Sequence, residues 1–306
     1  MSIISRFFGR KEPAAGQPNA EPAALVSNPD QKDGMSLQVA FAGPLPNQAE
    51  ALTRALQAYH PSMADARAEL DAGGDHWLGL AGWGEHVVRM VGFNAPLPEA
   101  TVEVCVAPAH YPAEVKAEVR AHSSHVLLYY TGHDEDPLEQ YVAVAAVAGA
   151  LAEAGGVAVM NEHAHTSLPA GVFTRASLGD ESLELLRSLP LTMLYCGFVK
   201  YDVEGTAGVW MRTYGADRFG LPDFAALAEG HHQGEFYSNI FNNIMAYLLQ
   251  SGAEMDAGHT MQIGENAYLK LREPGEPEYF LQGPGRTLVA EIIAEDQINR
   301  PDGAQH

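Results

Sequence analysis

Asp136-Pro-Leu-Glu-Gln-Tyr-Val-Ala-Val-Ala-Ala-Val-Ala-Gly-Ala-Leu-Ala-Glu-Ala-Gly-Gly-Val-Ala-Val-Met160 is the stretch that decides the fold. The Asp136 carboxylate can accept from the free amides of a first helical turn, and Pro137 has no amide to leave unpaired there, so a helix opens at this point. Gly155-Gly156 stops it. Between them Tyr141 to Leu151 is unbroken apolar sequence, too short for the roughly 20 residues that cross a bilayer, and reads as a buried helix. Val157 to Met160 follows as a strand, and Val126 to Tyr130, rich in branched and aromatic residues, precedes as another.

Towards the N-terminus the pattern continues. Leu37 to Phe41 alternates as a strand. Asn47 to Tyr59 carries Ala51, Leu52, Ala55 and Leu56 on one helical stripe, with Asn47 as cap and Pro61 as stop. Trp77 to Leu80 and Val87 to Val91 read as a hairpin around Gly82 and Gly84, Thr101 to Ala107 as a strand, and Pro112 to Ala121 as a helix. This order predicts an α+β fold whose first half is a mixed sheet of the ferredoxin-like, split βαβ kind with an added αβ unit, its helices covering one face.

Towards the C-terminus, the Pro, Gly and Ser of Thr166 to Asp180 suggest a junction. Beyond it come a helix at Glu181 to Leu189, strands at Leu191 to Tyr201 and Gly208 to Thr213 joined by a Glu204-Gly205 turn, and a helical piece at Pro222 to Gly230. The longest helix of this half, Gly234 to Ser251, has Phe236, Ile240, Ile244, Tyr247 and Leu248 as its stripe and Gly252 as its end; strands follow at His259 to Ile263, Ala267 to Leu271 and Thr287 to Ile293. The expected division is a disordered tail over 1–34, an α+β half over 35–170, a second mixed-sheet half over 171–296, and a tail over 297–306. Glu12 to Gly34 has too few large apolar residues to offset its ordering entropy.

Eighteen basic against 39 acidic residues give a net charge of −21. Such a field repels phosphate backbones and favours cationic partners, so nucleic acid is not an expected ligand. Ile3, Ile4, Phe7 and Phe8 recur at helical spacing beside Arg6, Arg10 and Lys11, a pattern suited to weak membrane contact by residues 1–11 or to a frayed terminus. Cys105 and Cys196 lie in apolar runs and read as buried strand thiols; with no secretory signal in view, a cytoplasmic location is expected.

Phosphate loops, dinucleotide fingerprints and a Gly-x-Ser-x-Gly elbow are missing from the sequence. Histidine pairs remain. In Glu162-His163-Ala164-His165, a spacing of two on an extended chain would aim His163 and His165 to one side, and His231 and Glu235 stand one helical turn apart. Together these four could ligate a metal, although capping and hydrogen bonding are commoner uses of such residues. Asn239, Asn242 and Asn243 interrupt an apolar helix. They either hold the Tyr214 to Gly220 turn against that helix or line a small polar pocket with Tyr214, Asp217 and Arg218 at its rim.

Thr213-Tyr-Gly-Ala-Asp-Arg-Phe-Gly-Leu-Pro-Asp223 and Asp256-Ala-Gly-His-Thr-Met-Gln-Ile-Gly264 resemble blocks of a bacterial family, the DUF4261 domain. The resemblance runs from the first ordered strand to about Leu271. It implies a fold relationship, with no activity, cofactor or catalytic residue attached. The expected function is therefore a non-enzymatic cytosolic interaction module, of a partner-binding or toxin-neutralising type, with no cofactor. The alternative is a metal-dependent hydrolase using His163, His165, His231 and Glu235.

Overall fold

A computed structural model describes residues 24–298. The expected tails over 1–23 and 299–306, with the amphipathic start, lie outside the described residues. Residues 24–34, expected to be linker, hydrogen-bond to the body: Leu25 N donates to Glu69 Oε1, and Asn28 donates from its backbone to Thr131 O and from Nδ2 to Gly132 O.

The first sheet has seven strands: β1 (Ser36–Phe41), β2 (Arg67–Gly73), β3 (His76–Trp83), β4 (His86–Phe93), β5 (Ser124–Tyr130), β6 (Gly156–Asn161) and β7 (Thr166–Pro169). They lie in the order β2-β3-β4-β5-β1-β6-β7. Every pair is antiparallel, so this sheet is not the mixed one expected. The helices are α1 (Ala49–Tyr59), α2 (Glu99–Val106), α3 (Ala113–Arg120) and α4 (Pro137–Glu153). The crossover through α4 carries β5 to β6 on the far side of β1.

α4 begins as its sequence requires, with Asp136 Oδ1 accepting from Leu138 N at 2.8 Å, and it is buried from Gln140 to Ala152. Its Ala and Gly surface lets neighbours come close. At Gly149 a Cβ would stand 2.4 Å from Phe173 O and 2.5 Å from the Tyr59 ring. α1 and α4 pack on one face of the sheet through Val39, Val126, Leu128 and Val159; α2 and α3 cover part of the other through Ala40, Ala158 and Met160. Helices therefore lie on both faces, not one.

The second sheet has six strands: β8 (Gly197–Tyr201), β9 (Val209–Tyr214), β10 (Asp223–Ala228), β11 (Thr260–Gln262), β12 (Ala267–Arg272) and β13 (Thr287–Ala294). Their order is β11-β12-β13-β10-β9-β8, and the β10–β13 pair is parallel among antiparallel ones, so this sheet is mixed as expected. Two short helices, α5 (Arg175–Leu178) and α6 (Ser182–Ser188), connect the sheets, and α7 (Gly234–Ser251) packs on the second one. One apolar core runs from Met35 to Ala290 across both sheets.

Four local expectations are corrected. Thr101 to Val106 lies in the helix α2, because Val102, Cys105 and Val106 bury one helical face. Asp223 to Ala228 is the central strand β10: its small residues are buried between layers. The α7 core stripe is Tyr237, Phe241, Ile244, Met245 and Leu248, while Phe236 and Tyr247 are about half exposed at 48% and 52%. Asn47 is not the α1 cap; Gln48 holds that place without a side-chain bond.

Candidate functional site at the seam of the two sheets

β7 and β8 end their respective sheets, and they come together at a seam. Glu162 to His165 forms the turn between β6 and β7 instead of continuing a strand, and His165 takes a left-handed φ of 52°. For a residue with a Cβ that conformation costs roughly 1–2 kcal/mol. The turn separates the two imidazoles. His163 Nε2 lies 2.9 Å from Asp217 Oδ1, and the His165 ring stacks on Tyr214 with centroids 4.0 Å apart. Between them Ala164 is fully buried against Gly197 and Gly215.

Behind Tyr214 stands Arg212, its guanidinium carbon 4.3 Å from the ring centroid and its side chain 1% exposed. Arg212 Nη2 donates to Thr287 Oγ1 at 3.1 Å, while Nη1 reaches the carbonyls of Phe280 and Gln282. Nearby, Asp223 Oδ1 accepts from Thr213 Oγ1 and Ala216 N. Burial pushes the Asp223 carboxyl up to about 6, against the opposing pull of those donors and of Arg212. Burial, then Arg212 and His163, hold the His165 pKa below its ordinary value.

Over the seam opens a cleft of about 720 Å³. Its walls are the loop at Pro108 to Tyr111, strand β7, Pro190 to Met193, Phe198 and Lys200 of β8, and one side of α7. Gly234, Glu235, Ser238, Asn239 and Asn242 give that side, at helical spacings of three and four. Lys200 lies across the start of α7, where a Cβ on Gly234 would come 3.1 Å from Nζ. His110 also lines the cleft, and burial followed by Lys200 and Lys116 lowers its pKa. Tyr111 and Ser167 hydroxyls pair at 3.0 Å on the floor.

The sequence-derived candidates divide accordingly. His165, Glu235, Asn239 and Asn242 line the cleft; Asn243 is exposed on α7; Tyr214 and Asp217 dock the histidine turn; Arg218 donates to Asp33 O. The Tyr214 to Gly220 turn packs by Phe219 on Tyr141 of α4. His231 is exposed, with Nε2 3.5 Å from Asp202. Among the described residues no group of three or more His, Cys, Asp or Glu side chains gathers as a metal site. Lys200, His110 and Arg212 were not singled out from sequence. Lys200 and Arg212 had a signal, a charge inside an apolar strand; His110 had none beyond its loop.

No curated protein and no solved structure matches the chain. Residues 212–291 match the family DUF4261, a domain of unknown function. The match begins in β9 at Arg212 and not at the first strand, and it passes Leu271 to end in β13. It takes in the Arg212, Tyr214, Asp217 and Asp223 cluster, α7, and all of the second sheet beyond the start of β9 except β8 and the end of β13. Over that stretch, about a quarter of its length, the chain is similar to the DUF4261 family.

Proposed function

We propose that this protein acts by binding a partner, and that the cleft over the seam is where the partner engages. The observation that carries this reading is the cleft itself, about 720 Å³ where the two sheets meet, with the side chains of Ser238, Asn239 and Asn242 along its α7 wall. A concave site of that size with a few convergent polar groups is the usual form of a binding site. Catalytic arrangement lacks comparable support. Both cysteines are buried with thiols raised by desolvation, and the cleft hydroxyls of Tyr111 and Ser167 pair with each other rather than with an imidazole. The hydrolase alternative has less support, because His163 and His165 face different partners, Asp217 and Tyr214, and His231 is exposed beside Asp202, and among the described residues no group of three or more such side chains gathers.

A cytoplasmic setting and a partner that is cationic overall agree with the −21 net charge, which steers such partners by long-range attraction. Among the described residues no helix is long and apolar enough to cross a membrane. Site-specific photo-crosslinking tests the reading. A photoreactive residue in place of Met193, on the cleft wall, should give one discrete protein adduct in the native cell, absent when the probe replaces the exposed Glu50 of α1. The same adducts from both positions, or none from Met193, would count against it.

A further inference from the structure

α7 carries more apolar surface than its own sheet covers. Its core stripe is Tyr237, Phe241, Ile244, Met245 and Leu248, and its cleft side includes Glu235, Ser238, Asn239 and Asn242. Phe236, Ile240, Asn243 and Tyr247 belong to neither. At spacings of four, three and four they fall within about 60° of one another round the helix, the seam pattern by which two helices pack along their length. Phe236 and Tyr247 are about half exposed, Asn243 is exposed, and Ile240 is partly buried.

The stripe is also free of charge. From Phe236 to Ala253 there is no acidic residue, lysine, arginine or histidine, in a chain with 39 acidic and 18 basic residues. A cationic partner drawn by the net charge of −21 finds no counter-charge here. Two copies of this chain repel each other over acidic surface, and an uncharged stripe is where they can meet without setting like charges together.

The order of the stripe suits a second copy of the same helix. Its midpoint falls between Ile240 and Asn243. When two α7 helices run antiparallel about a two-fold axis at that point, Phe236 of each copy faces Tyr247 of the other, and Ile240 faces Asn243. At the Tyr247 end the surface is hollowed by about 720 Å³, with Tyr247, Leu248, Met255 and Met261 in the walls. Methionine side chains adapt their shape to a guest, and an exposed phenylalanine stands at the opposite end of the same stripe. A two-fold contact uses both ends at once. The Asn243 amides meet near the axis, where each can donate to the other and hold the register.

We propose that the protein forms a two-fold dimer through antiparallel α7 helices, each Phe236 seated beside Tyr247 in the hollow of the other copy. This goes beyond the partner-binding reading and does not depend on it.

The test is the mass of the full-length protein by light scattering after gel filtration, loaded at about 100 μM, a hundredfold above a roughly micromolar Kd. It should be twice the mass of one chain. Phe236→Glu and Tyr247→Glu, both at half-exposed positions, should each give the mass of one chain with native circular dichroism. Leu227→Glu, at an exposed apolar residue of β10 outside the stripe, should remain a dimer. Disulfide trapping reads the orientation, since Cys105 and Cys196 are buried. The double variant Phe236→Cys/Tyr247→Cys should link two chains on oxidation. Phe236→Cys alone should not, because the two copies of position 236 lie about 16 Å apart along the paired helices at 1.5 Å per residue. A parent protein with the mass of one chain overturns the proposal, as does a dimer that survives both glutamate substitutions. Linking by Phe236→Cys alone would mean a parallel pair and overturn the antiparallel arrangement.

Discussion

His163 Nε2 and Asp217 Oδ1, 54 positions apart in sequence, stand 2.9 Å from each other and tie the turn after β6 to the segment after β9. The pair is about three-quarters buried, with side-chain exposures of 22% and 25%, so solvent screens it only in part. Replacing His163 or Asp217 by alanine should each lower stability by about 1 kcal/mol, and the double replacement by less than the sum. Urea titration of the four proteins in a double-mutant cycle measures the coupling. Strict additivity would mean that the contact does not join the sheets.

Asp223 makes stability depend on pH in an unusual direction. Its carboxyl titrates at about 6 in the fold against 3.8 ordinarily, so between those values the folded state binds more protons than the unfolded one. Stability contributed by the protonated form is full below about pH 4 and is lost as pH rises through 6, a change on the order of 3 kcal/mol at most. Asp223→Asn keeps an acceptor for Thr213 and Ala216 and removes the titration. Its stability should fall less than that of the parent between pH 4 and 7, as followed by thermal unfolding in a buffer series.

A side chain at position 197 has nowhere to go. A Cβ there would lie 1.6 Å from Ala164 O, inside the seam. Gly197→Ala should destabilise the protein by roughly 3 kcal/mol, as forced overpacking does. Gly43→Ala, where a Cβ meets nothing within 4 Å, should change stability by less than about 0.5 kcal/mol. Chemical denaturation distinguishes the two.

Neither thiol should react quickly in the native state. Cys105 is buried in α2 with its pKa pushed up to about 12, and Cys196 is buried just before β8 with its own raised well above the ordinary value, both chiefly by desolvation. A chromogenic thiol reagent should label fewer than one equivalent until denaturant is added. Rapid native labelling of either residue would contradict its burial.

Zinc gives a separate check on the histidines. With His163 on Asp217, His165 on Tyr214 and His231 exposed near Asp202, calorimetry on metal-free protein should find no stoichiometric zinc site below roughly micromolar affinity. Such a site, abolished by changing any one of His163, His165, His231 or Glu235, would favour the hydrolase alternative.

Where local chemistry agrees with packing, the fold could be read from sequence. Asp136-Pro137 and Gly155-Gly156 bound α4, and Gly252, with φ of 64°, ends α7. Where propensity and packing disagree, it could not. The valines of α2, at 102, 104 and 106, alternate as in a strand, yet the buried set Val102, Cys105 and Val106 is spaced three and four as on a helical face; the alanines of β10 favour helix, yet the centre of a covered sheet needs small residues. β2 went unseen because Arg67, Glu69 and Asp71 make it polar. The histidines and asparagines could be singled out, but not their partners: the left-handed turn at His165 reverses the alternation that an extended chain would impose.

The meeting of β7 and β8 bears on how the protein behaves in a crowded solution. Unpaired strand edges are templates for other chains, and this architecture turns one edge of each sheet inward against the other. The outer edges are poor templates: β2 carries Arg67, Glu69 and Asp71, with Glu69 already taken by Leu25 N, and β11 is three residues long. Prying the seam apart would uncover two further edges at once, so the contacts around Ala164 guard the chain against aggregation as much as they hold its shape.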